Sequence, residues 1–178
     1  MNKKLIVALT SLILIIPTAS HAALKSSTTT VPTLAIIDTA LDSTIPQFQG
    51  KIAHEVCIIK WKSCPNGKDF MEGPGSASLP MNFLSNRNFN HGTQMVSAAL
   101  EANPNMHIVF VRIIGHTIMG QRQITGPSEI SKALEWVAEN KDRFNIKAVA
   151  MAQGHHNLLS KAADYCPNNI EVTKSIEK

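Results

Sequence analysis

The chain has 178 residues, 17 Lys and Arg against 13 Asp and Glu, a formal net charge of +4, and 44% apolar residues. That length suits one domain with a real core, and no repeat or low-complexity tract divides it. Its basic residues form no stripe with interleaved aromatics, which excludes the footprint and stacking platform of a nucleic-acid binder.

Met1-Asn2-Lys3-Lys4 gives a positive start, Leu5 to Ile16 an apolar run broken only by Thr10 and Ser11, and Ser20-His21-Ala22 a small-residue cleavage site. Residues 1–22 are expected to be a secretory signal peptide. The run falls short of the roughly 18 apolar residues of a spanning helix, so no membrane association is expected after cleavage. No cysteine sits at the cleavage point to carry lipid. The expected mature protein is exported, periplasmic or secreted, and loss of Lys3 and Lys4 reduces its formal charge to +2.

Residues 23–33 are polar and lack periodicity, and they read as an extended leader. Leu34-Ala35-Ile36-Ile37 is an aliphatic run too short for a helix, as in a central parallel strand buried on both faces. Asp38 ends it, at a sheet edge or paired, because an isolated interior carboxylate is too costly. Taken alone, without His91, Asp38 reads as a turn-forming or helix-capping residue.

Residues 52–64, Ile-Ala-His-Glu-Val-Cys-Ile-Ile-Lys-Trp-Lys-Ser-Cys, alternate in part, are rich in β-branched residues and precede a Pro65-Asn66-Gly67 turn signal, predicting one or two strands. Cys57 and Cys64 are close enough to close a short loop, and in an oxidising compartment a disulfide is the ordinary expectation, stabilising by roughly 2 to 3 kcal/mol. The alternative, a zinc site of His54, Cys57 and Cys64, matches no common ligand spacing and lacks an evident fourth ligand. Residues 71–90 read as a long loop of the kind that borders a site.

His91 opens a helix in which Met95, Ala98, Ala99 and Ala102 recur at helical spacing, small enough for close approach to a sheet, with Pro104 beyond its end. Gly92 permits a tight backbone approach, and the Thr93 hydroxyl is expected to satisfy a first-turn amide. By itself His91 is a general base or a capping residue. His107 to Gly115 is a second buried aliphatic run. Ser128 to Asn140 is an amphipathic helix with Ile130, Ala133, Leu134 and Val137 inward and Glu129, Lys132, Glu135 and Glu139 outward. Ile146 to Met151 is read as the third parallel strand, followed by a turn and a weaker helix near Leu158 to Tyr165. Strands alternating with helices predict an α/β fold: a doubly wound, mostly parallel sheet with helices on both faces.

Leu34-Ala-Ile-Ile-Asp38-Thr39 resembles the aspartate motif of the subtilisin-like serine peptidases, and His91-Gly92-Thr93 their histidine motif, in the family order of Asp before His. Phe110 to Ile114 is similar to the strand after the histidine helix, and Ala148 to Gly154 to the strand that binds substrate backbone. The resemblance runs from Leu34 to about Tyr165, so residues 34–178 read as an incomplete subtilisin-like domain. It implies Asp38 as orienting acid, His91 as general base, and Ala152, Gln153 and Gly154 as substrate-binding residues, with a polypeptide as substrate or ligand and no cofactor. Ala40, Gln94, Met95, Val96 and Ser97 are bulkier than the family's residues, and Gln47 replaces a calcium-binding aspartate, so no metal is expected.

Nothing after His91 matches the family's oxyanion-hole asparagine or its Gly-Thr-Ser nucleophile motif. Ser97, Ser128, Ser131, Ser160 and Ser175 lack the glycine-flanked turn. The resemblance therefore implies a serine endopeptidase cut short before its nucleophile and inactive alone, with a separate C-terminal fragment as a partner. Cys166, left over once Cys57 and Cys64 pair, is expected to find its partner elsewhere. The alternative is a non-catalytic exported module that binds peptides along the Met151 to Gly154 edge.

Overall fold

Aliphatic runs arrive at four places in the chain, and in the computed structural model they lie side by side. The structure describes residues 31–84, 86–123 and 126–152. Strand β1 is Thr33–Asp38, β2 Ile52–Ile58, β3 Phe70–Glu72, β4 His107–Arg112, β5 Gly115–His116, β6 Arg122–Gln123 and β7 Ile146–Met151. The helices are α1, Met81–Leu84, α2, His91–Ala102, and α3, Pro127–Asn140. One sheet has the order β3-β2-β4-β1-β7, and β5 and β6 form a small antiparallel ribbon. In the main sheet β2, β4, β1 and β7 are parallel, and only β3 is antiparallel.

Alternation along the strands sorts the core into two layers, as a pleated strand requires. Ala35, Ile37, Val56, Val109 and Val111 face α3, packing with Ala133, Trp136 and Val137. Ile36, Ile108 and Phe110 face α2, packing with Val96 and, less deeply, Met95, Ala99 and Leu100. Helices thus cover both faces, and the α/β architecture with a mostly parallel sheet is observed. β2, expected only as one or two strands of unspecified direction, is a full parallel member, so β7 is the fourth parallel strand and not the third.

The β1-to-β2 connection carries Leu41 and Phe48 into the α2 layer, whereas β4 reaches β7 through α3 on the other face. β1 and β4 are adjacent, and their outgoing connections leave on opposite faces. That is a topological switch point, where a crevice opens at the carboxyl ends of the strands.

Three details differ from the sequence reading. The stretch 71–90 contains β3 and the single turn α1, and its Ser76, Ala77, Leu79 and Phe89 are buried. In α2 the buried positions are Gly92 and Val96, while Ala98 and Ala102 are exposed, so the sheet-facing stripe is rotated from the one that alanine spacing suggested. In α3, Glu129 is 2% exposed and not on the outer face. Its carboxylate reaches back to the Gly126 amide at 2.9 Å, accepts from the Ser128 hydroxyl at 2.8 Å, and meets Lys60 Nζ at 3.4 Å. Pro127 follows Gly126 at the helix start, where a missing amide costs nothing.

His54, weighed above as a metal ligand, instead belongs to a cluster of three rings, with the Trp136 and Phe144 centroids 5.9 and 4.7 Å from it and 6.0 Å from each other. Cys57 and Cys64 are bonded to each other, which removes both as metal ligands. Among the described residues no helix is long and apolar enough to cross a membrane. Residues 1–30, the last predicted helix and Cys166 lie outside the described residues.

Burial alone would raise the Glu129 pKa, but its hydrogen bonds to Ser128 and Gly126 and the Lys60 charge outweigh burial and hold it below the usual glutamate value. A depressed carboxylate adds stability above its unfolded pKa and loses it as pH falls through the folded one. Glu129→Gln is expected to lower the unfolding free energy at pH 7 by about 1 kcal/mol. In urea titrations at several pH values that gap should close as pH falls below about 4.

Candidate active site

Asp38 is the last residue of β1, at the switch point and fully buried. Its carboxylate faces the start of α2, where His91 Nδ1 lies 2.9 Å from Oδ1 and 3.0 Å from Oδ2. Residues 53 positions apart are therefore in direct hydrogen-bonding contact, one on a strand end and one on a helix start. The Asp38 Oδ1 atom also accepts the Thr39 amide at 2.6 Å. A carboxylate accepting from Nδ1–H leaves Nε2 as the ring's basic nitrogen, and the His91 side chain is 37% exposed. This is an imidazole oriented by a carboxylate and partly exposed, the form a general base takes.

Two hydroxyls fasten the supporting backbone. Thr39 Oγ1 donates to the Phe89 carbonyl at 2.8 Å and accepts the Gly92 amide at 2.9 Å. A side chain from the strand end thus satisfies a helix N-terminal amide that has no partner within its own helix. Thr93, expected in that role, instead accepts the Asp42 amide at 3.0 Å. Both threonines tie the segment after β1 to the first turn of α2, on either side of the Asp38–His91 contact.

Gly92 sets how closely the two elements meet. A Cβ built there would lie 2.5 Å from the Phe110 ring and 2.6 Å from the Ala40 carbonyl oxygen, distances no side chain tolerates. Removing that one carbon lets α2 rest on β4 and on the segment after β1, which brings His91 within reach of Asp38.

Asp38 and His91 are thus brought together as the motifs implied. Ala152 is exposed just beyond β7, the edge strand among the described residues, and Gln153 and Gly154 lie outside the described residues. Residue-type reasoning gave Arg112 no role, yet it is fully buried at the end of β4, in register with Asp38 on one side and Cys57 on the other. Its Nε donates to the Ile114 carbonyl at 3.1 Å, one terminal nitrogen donates to the Ser78 carbonyl at 2.9 Å, and the other donates to His116 Nδ1 at 3.1 Å. Burial lowers the Arg112 pKa to about 10, which still leaves it charged at neutral pH. The only signal in the sequence was an arginine closing an otherwise aliphatic strand. Glu55, also buried, accepts the Ala77 amide at 3.2 Å, so two buried charges hold residues 77–78 over the strand ends.

No protein-family model matches the chain, and no solved structure matches it.

Gly92→Ala should destabilise the protein by about 1 to 3 kcal/mol in urea unfolding, since the methyl group overpacks against backbone. Asp38→Asn should leave the fold in place but change the imidazole. In nitrogen-15 spectra of the side chain, His91 should carry its proton on Nδ1 in the native protein and lose that preference in the variant.

Proposed function

We propose that this protein carries the acid–base half of a subtilisin-like serine endopeptidase site, with Asp38 orienting the imidazole and His91 as general base. The observation that carries this reading is the 2.9 Å contact between Asp38 and His91 Nδ1 at a switch point. The reading of coincidental motifs on an unrelated α/β domain predicts the two side chains beyond hydrogen-bonding distance, and their contact supports the family reading over it.

In the full reaction a serine hydroxyl attacks the peptide carbonyl, and His91 Nε2 takes its proton and later passes it to the leaving amine. Asp38 stabilises the imidazolium, and oriented donors stabilise the oxyanion. The sequence after His91 contains no Gly-Thr-Ser turn, so the nucleophile and oxyanion donors belong to a complementary segment or a separate fragment. Export to an oxidising compartment, after removal of residues 1–22, accords with the Cys57–Cys64 disulfide.

A second reading is favoured by one observation. β7 lies at the sheet edge with Val149 44% and Met151 38% exposed, an arrangement that accepts an added peptide strand without any chemistry.

The purified chain should cleave no peptide substrate in a serine-inhibitor-sensitive manner, since loss of the nucleophile in such a triad costs about a millionfold in turnover. Translating the coding DNA beyond codon 178 in all frames should reveal an asparagine-bearing strand followed by Gly-Thr-Ser. A clean stop with nothing similar behind it would support the peptide-binding reading, as would a cooperative unfolding transition for the chain alone.

A further inference from the structure

The Cys57–Cys64 disulfide closes the base of a loop in which two consecutive non-glycine residues, Trp61 and Lys62, take left-handed backbone conformations, at φ 65° and 56°. Such a residue is strained and persists only where its surroundings impose it. Here the disulfide constrains the loop ends, and Asp69 Oδ1 accepts the Lys62 amide at 2.6 Å. The outcome is that Trp61, the larger of two strained side chains, is displayed at 58% exposure instead of folding into the core.

Trp61 borders a cavity of about 570 Å³ between this loop, residues 75–80 and the carboxyl end of β4. That volume falls within the range of small-molecule sites. Asp38 and His91 do not line it, so it is separate from the acid–base pair.

The inner wall of this cavity carries a positive charge. Among the described residues Arg112 bonds to neutral acceptors, the Ile114 and Ser78 carbonyls and His116 Nδ1. Among the described residues no carboxylate lies within ion-pair distance of it. A guanidinium keeps its protons, so His116 Nδ1 is the acceptor and its ring proton resides on Nε2. Burial, with the Arg112 charge beside it, pushes the His116 pKa down. His116 therefore stays a neutral donor in the field of a desolvated cation, and the exposed Lys62 adds a second cation at the rim. Field lines from a buried charge concentrate in a cleft with low-dielectric walls, which favours an anion there.

We propose that this cavity binds a small ligand with an apolar or aromatic body and one carboxylate. The body lies against Trp61 and Pro65, and the carboxylate lies toward Lys62 and the His116 Nε2–H, with Arg112 supplying the background charge. Lys62 and Trp61 are surface residues, so their replacement leaves the core intact.

The test is a nuclear magnetic resonance titration of the full chain with phenylacetate and, separately, phenylacetamide, at constant ionic strength. Phenylacetate should give saturable shifts at the Trp61 indole and the 61–65 amides in the millimolar range, with phenylacetamide about tenfold weaker. Trp61→Ala should weaken both probes, and Lys62→Gln should reduce the preference for the acid by about threefold. Equal affinity for the two probes, or a preference untouched by Lys62→Gln, would overturn the proposal. So would the absence of saturable shifts up to about 20 mM.

Discussion

The structure turns on a missing carbon atom. At Gly92 the backbone of α2 comes so close to Phe110 and to the Ala40 carbonyl that a methyl group has no room. The contact sets both the depth and the rotation of the helix, because the residue that must touch the sheet fixes which others can. Val96, one turn along, is then buried, and Ala98 and Ala102 turn outward. His91 precedes Gly92 and is placed over the end of β1, where Asp38 waits. The pair is thus a product of packing before it is a product of electrostatics.

This explains what was legible in the sequence and what was not. The parallel strands β1, β4 and β7 were readable, since aliphatic runs of that length have few other uses, and so were α3 and the Cys57–Cys64 pairing. Asp38 and His91 were readable because each closes or opens an element at a chemically unusual point. The rotation of α2 was not, since four small or apolar residues at helical spacing cannot say which of two overlapping stripes touches the sheet. Glu129 looked like a solvent-facing charge, and it is buried because its partners, the Gly126 amide and Lys60, lie outside the helix whose periodicity was being read. Thr39 and Arg112 act through contacts with residues 50 and 34 positions away, a distance at which local pattern carries no information.

The sheet holds three buried charged groups, Asp38 and Arg112 at strand ends and Glu55 in the middle of β2, each satisfied differently. Asp38 is met by an imidazole, Glu55 by a backbone amide, and Arg112 by carbonyls and a neutral ring. Buried charges of this kind contribute little net stability, but removing one partner strands the other in a low-dielectric interior. The segment 77–78 is anchored by two of them, so the part of the Trp61 cavity's lining that Ser78 supplies is held by polar contacts as well as by apolar packing.

β1 has a kinetic consequence. It is the strand with the earliest position in the described chain, yet it sits between β4 and β7, pairing Thr33 with His107 on one side and Ile146 on the other, 74 and 113 residues further along. A polypeptide emerging from its amino end cannot give this strand either neighbour until most of the domain has been made. Closing such long loops precedes any reward from pairing, so assembly is slow and concerted, and not stepwise from the amino end. Until β4 and β7 arrive, the Leu34–Ile37 run remains an unpaired aliphatic strand, a template for pairing with other chains.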